Sequence, residues 1–99
     1  MPHRTSSKCI LDALVLRMNS LDPNPLLTKV LYPQIALKYS LSNTSVEKNI
    51  RNAISQMQMN NTEIFNEIFS YSTKGRITNG EFISVMSDYI NKRMREEFA

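Results

Sequence analysis

Apolar positions recur at helical spacing along nearly the whole chain, and no stretch alternates as a half-buried strand would. The first periodic stretch predicts a helix over residues 7–20, with Ile10, Ala13, Leu14 and Leu21 on one stripe. Leu11, Val15 and Met18 widen that stripe, which predicts burial on more than one side. Asp22-Pro23-Asn24-Pro25 ends the helix, because each proline disfavours helical geometry in the residue before it. Asn24 can then cap a short second helix with Pro25 at its first position, turning Leu26, Leu27, Val30 and Leu31 to the core. Pro33 opens a third helix over residues 33–39 by the same logic. A fourth follows Ser42 and runs over about 43–59, where Val46, Ile50, Ala53, Ile54 and Met57 share one face. Asn60 and Asn61 separate it from a fifth helix carrying Ile64, Phe65, Ile68 and Phe69, and residues 71–77 form a polar loop. The last helix begins at Thr78 with Glu81 in capping-box spacing, and Phe82, Val85, Met86, Tyr89, Ile90 and Met94 mark its buried side. The expected fold is therefore all-α, a single domain of about six short helices around a helix-turn-helix, with no sheet and with residues 1–6 as a tail.

Composition narrows the chemistry. A single cysteine, Cys9, excludes an internal disulfide and a cysteine-based zinc site, and it is expected to pack in the core. One histidine, His3, leaves little for acid–base or metal chemistry, and two glycines are too few for a phosphate-cradling loop. Glu63 and Glu67 share a helix face, but paired acids for hydrolysis need a cleft and a raised pKa on one member. No catalytic constellation, cofactor site or metal site is expected, and the protein is not expected to be an enzyme. No apolar run approaches the roughly 18 residues of a membrane span, and the opening MPHRTSSK lacks the apolar stretch of a signal peptide. A cytoplasmic location without membrane contact is expected.

Charge is more informative by segment than in total. The net charge is +3, yet residues 29–51 alone carry Lys29, Lys38, Lys48 and Arg51 against only Glu47. Residues 52–72, by contrast, hold Glu63 and Glu67 with no base. The basic segment coincides with Tyr32 to Ile54, YPQIALKYSLSNTSVEKNIRNAI, which has the residue types of a helix-turn-helix. Ala36 is the small residue where two helices touch, Ile35 and Tyr39 face inward, and Leu41 plugs the corner. Ser42 can accept from the N–H groups that open the second helix, while Val46 and Ile50 anchor it. Ser40 stands where such turns often have glycine.

At about 100° per residue, the fourth helix turns Thr44, Lys48, Arg51, Asn52 and Ser55 away from the core, flanked by Ser45 and Glu47. Arginine and lysine can donate to guanine, asparagine can pair with adenine, and glutamate can accept from cytosine. Thr44, Ser45, Glu47, Lys48, Arg51 and Asn52 are thus the base-reading candidates for double-stranded DNA, with residues 43–59 in the major groove. Lys38, Ser42, Lys74 and Arg76 are the candidates for phosphate contacts, which position the protein without specifying sequence.

From about residue 9 to residue 98 the chain resembles the C-terminal effector domain of stage zero sporulation protein A, a family of sporulation response regulators. The likeness is densest in LLTKVLYPQIALKYS, SVEKNIRNAI and TNGEFISVMSDYI. It implies a six-helix effector fold, recognition of short operators, and RNA polymerase engaged through its sigma subunit. It places recognition-helix contacts on Thr44, Ser45, Glu47, Lys48, Arg51 and Asn52. The family typically has arginine at the positions of Ser45 and Lys48 and histidine near Asn52, so a different operator is expected. Losing an arginine at Ser45 removes about 1–3 kcal/mol of discrimination at one base. The loop before the last helix is shorter than the family's, which bears on Lys74 and Arg76. The family's receiver domain and the opening helix of its effector domain have no counterpart in these residues, as in a fragment or a stand-alone relative. Tyr89, Ile90, Met94 and Phe98 form a strip that is a candidate for self-association on DNA. The competing expectation is a helical interaction module that binds the sigma subunit or a full-length homologue without reading DNA.

Overall fold

A computed structural model describes residues 3–20, 27–60, 62–69 and 77–98. These form five α-helices: α1 (His3–Asn19), α2 (Tyr32–Tyr39), α3 (Asn43–Asn60), α4 (Thr62–Ile68) and α5 (Asn79–Phe98). No strand occurs among the described residues, and none of their helices is long and apolar enough to cross a membrane. The all-α expectation holds.

α1 begins at His3, four residues before the expected start, so residues 3–6 extend the helix rather than forming a tail. Ser6 is buried there, and its hydroxyl donates to Oδ1 of Asn49 on α3 at 3.0 Å. A tertiary hydrogen bond thus supports a turn that lacks an apolar stripe of its own. α1 buries Cys9, Ile10, Ala13 and Leu14, whereas Leu11 and Val15 are more than half exposed. The helix is buried on one side only, because α2, α3 and α5 all pack on the side carrying Ile10 and Ala13.

The proposed cap at Asn24 and Pro25 lies outside the described residues. In place of a regular second α-helix, a π turn (Leu27–Leu31) leads directly into α2. Leu31 is buried and Val30 is exposed. Leu31 keeps helical backbone angles at the junction, and Pro33 falls in the first turn of α2, where its missing N–H costs no hydrogen bond.

α2 and α3 are joined by residues 40–42. Ser40 is left-handed (φ 56°, ψ 47°), and the Leu41 N–H donates to the Ala36 carbonyl at 2.8 Å, a Schellman-type closure. Leu41 then packs partly against the core, as its corner position predicts. Ser42 caps α3, its Oγ accepting from the Ser45 N–H at 3.1 Å. On α3, Val46, Ile50, Ala53 and Ile54 are buried as expected, with Met57 partly so.

Phe65 of α4, Phe69 just beyond it and Phe82 of α5 stack with centroids 4.6–6.2 Å apart within the core. Ile64 departs from expectation and is exposed, as are Tyr89 and Met94 on α5, while Ile83 and Ser87 are buried in their place. The inward face of α5 is therefore rotated toward Phe82, Ile83 and Ser87, with Val85, Met86 and Ile90 at its edges. Thr78 caps α5 as predicted, its hydroxyl accepting from the Glu81 N–H at 3.1 Å. Cys9 is fully buried, and burial pushes its thiol pKa up, as for packing rather than reactivity.

Candidate nucleic-acid interface

Burying Val46, Ile50, Ala53 and Ile54 turns the opposite side of α3 to solvent. Thr44, Glu47, Lys48, Asn52 and Ser55 are exposed there, and Ser45 and Arg51 are half-buried at the edges. All six base-reading candidates therefore lie on the accessible part of one helix, over its first three turns.

Two of them are joined. Arg51 Nη2 donates to Glu47 Oε1 at 2.9 Å, one helical turn apart, with both side chains about half exposed. Lys48 has no carboxylate partner among the described residues. Ser45 receives a hydrogen bond from the Ser42 hydroxyl at 3.1 Å, so Ser42 is occupied by the start of the helix.

Lys38 lies on the outer side of α2 with its ammonium 3.2 Å from Asp12 Oδ2 on α1 and 5.4 Å from the Tyr39 ring centroid. The Tyr39 hydroxyl donates to the same Asp12 carboxylate at 2.5 Å. Hydrogen bonding to Asp12 raises the pKa of both Lys38 and Tyr39, since it favours the ammonium and the neutral phenol. Lys38 is therefore exposed but already neutralised by a neighbouring helix. Lys74 and Arg76, also expected at phosphates, lie outside the described residues.

Three polar residues that the sequence pattern does not single out hold α3 in place. Asn49 Nδ2 donates to the Ser45 carbonyl at 2.8 Å while its Oδ1 accepts from Ser6, tying α3 to the first turns of α1. Asn79 at the start of α5 donates to the Tyr32 hydroxyl at 3.0 Å and to the Glu47 carbonyl at 3.1 Å. That amide links the first residues of α2 and α5 to the backbone of the exposed helix. Tyr32 is buried, which raises its phenol pKa most; Asn79 lowers it, Glu47 raises it and Arg51 lowers it. Both members of the Glu47–Arg51 pair thus act electrostatically on this junction. The partners are separated by 32 to 47 residues in sequence, so no local signal announces them.

No group of three or more histidine, cysteine, aspartate or glutamate side chains is placed to hold a metal among the described residues. The surface offered by α3 is instead one of hydrogen-bond donors and acceptors on a rigid helix, suited to base edges and phosphate oxygens. No solved structure is significantly similar to the chain. The family model described as sporulation initiation factor Spo0A C terminal matches residues 3–90, and the chain belongs to that family of DNA-binding effector domains from sporulation response regulators.

Proposed function

We propose that this protein is a sequence-specific DNA-binding transcription regulator whose α3 enters the major groove. The observation that carries this reading is the pairing of a fully buried Val46–Ile50 stripe with an exposed Thr44, Lys48 and Asn52 face, edged by half-buried Arg51, on one helix capped by Ser42 and preceded by α2. A groove about 12 Å wide admits a helix of this kind. Lys48 and Arg51 supply donors for guanine, Asn52 a bidentate amide for adenine, and Thr44 and Ser45 hydroxyls for either base edges or phosphates. Lys38 contributes to phosphate binding only as far as DNA competes with Asp12 for it. Pairing of two copies on adjacent operators through exposed Tyr89 and Met94 would add affinity by effective concentration.

Selection of bound DNA from a random library tests the reading, with enrichment of one short motif expected. An interaction module that does not read DNA would enrich none. Binding to the enriched site should weaken with salt, with a log–log slope of about −5 if six phosphates are neutralised. Salt-insensitive binding would contradict the groove assignment.

A further inference from the structure

The sequence pattern treats Glu47 and Arg51 as two independent base readers, one accepting from cytosine and one donating to guanine. Their geometry supports a different division of labour. The Glu47 carboxylate already accepts from Arg51 Nη2 at 2.9 Å, and the rest of the guanidinium has no acceptor among the described residues. An exposed pair of this kind adds little to folding, because solvent screens it and two long side chains lose freedom. What it does do is restrict the rotamers of Arg51, a side chain that must meet a base edge in a defined plane. An unpaired carboxylate would also enter a groove lined by phosphates at an electrostatic cost, which pairing with Arg51 offsets. The backbone beneath the pair is fixed as well, since Asn79 donates to the Glu47 carbonyl at 3.1 Å.

We infer that Glu47 is a positioning residue for Arg51, so that the two together read a single operator position, a conclusion that rests on the DNA-reading proposal above. Glu47 sets the angle of the guanidinium, and Arg51 makes the contact. Lys48, without a carboxylate partner among the described residues, reads or grips DNA separately.

The test begins with the motif selected by the wild-type chain. Affinities are then measured for that site and for each of its single-base variants, using wild type, Glu47→Ala, Glu47→Gln, Arg51→Ala and the Glu47→Ala/Arg51→Ala double variant. Expected is that Glu47→Ala and Arg51→Ala relax discrimination at the same base pair, each by at least fivefold. The double variant should then lose no more than about threefold beyond Arg51→Ala alone, because the first change has already removed what the second acts through. Glu47→Gln keeps an acceptor oxygen and should retain discrimination at that base pair better than Glu47→Ala, an outcome that a general loss of helix stability would not produce. Glu47→Ala should also tighten binding to unrelated DNA, since a negative charge leaves the interface. The inference is overturned if Glu47→Ala relaxes a different base pair from Arg51→Ala, if it relaxes none, or if the two losses multiply. Should the wild type enrich no motif at all, the DNA-reading proposal itself fails, and that result is seen before any variant is made.

Discussion

Lys38 and Lys48 are the same residue type on consecutive helices, both solvent-exposed and both in the basic segment of the chain. Their surroundings differ sharply. Lys38 sits on the Asp12 carboxylate, 3.2 Å away, with Tyr39 sharing the same acceptor. Lys48 projects from the outer face of α3 with no carboxylate partner among the described residues, its neighbour Arg51 having taken Glu47. The local charge of residues 29–51 therefore overstates what Lys38 adds to the positive potential on α2, whereas Lys48 keeps its charge on the exposed face of α3. A basic residue acts on DNA through the charge left after its folded neighbours are counted.

The largest effect expected from this contrast is on Lys48. Lys48→Ala should cost about 1–3 kcal/mol of affinity for the selected site, measured by fluorescence anisotropy, with the helical circular dichroism unchanged. Lys38→Ala should cost less than about 1 kcal/mol at ordinary ionic strength, because the lost phosphate contact was competing with a carboxylate. If the two alanine variants weaken binding equally, the distinction drawn from Asp12 fails. Asp12→Asn should act in the opposite direction, freeing Lys38, tightening DNA binding and steepening the salt slope by about one.

A smaller effect is expected at the turn between the two helices. Ser40 carries a left-handed backbone that an L-residue adopts only at a cost, and glycine adopts it freely. Ser40→Gly should raise stability by about 0.5–1 kcal/mol in denaturant unfolding, leaving the affinities of the Lys38 and Lys48 variants in the same order. The smallest effect concerns pH. Tyr39 donates to Asp12, which raises its folded pKa, so the stabilisation is complete below the phenol's unfolded value and is lost as pH rises through the folded one. An ultraviolet titration should show one tyrosine ionising later in the wild type than in the Asp12→Asn variant. Lys38 shifts in the same sense, so its contribution is also lost only at alkaline pH.

The elements with strong periodicity were legible in the residues themselves. α3 was predicted to within a residue at each end because Ser42 can cap it, its apolar stripe repeats without interruption, and asparagines end it. The start of α5 was equally plain from Thr78 and Glu81. Misplacements fell where periodicity is silent or ambiguous. The extension of α1 to His3 depends on Ser6 reaching Asn49, and the outward turn of Leu11 and Val15 depends on where α2 and α3 happen to pack. The π turn before α2 follows from no pattern that apolar spacing can express. At the candidate interface, Thr44, Lys48, Arg51 and Asn52 could be placed on one face, with Ser45 and Glu47 on its flanks, from helical geometry alone. That Lys38 is neutralised by Asp12, and that Asn79 braces Glu47, required contacts across 26 and 32 residues of chain.

The sequence by itself determined the extent of α3, the start of α5, the capped turn between α2 and α3, and which side of α3 faces away from the core. These are local consequences of a 3.6-residue repeat and of hydroxyl groups placed to satisfy free N–H groups. Only the tertiary structure decided which cations remain available and what holds the exposed helix in position. Charge pairing and buried hydrogen bonds depend on distances between helices, and no spacing along the chain encodes those distances.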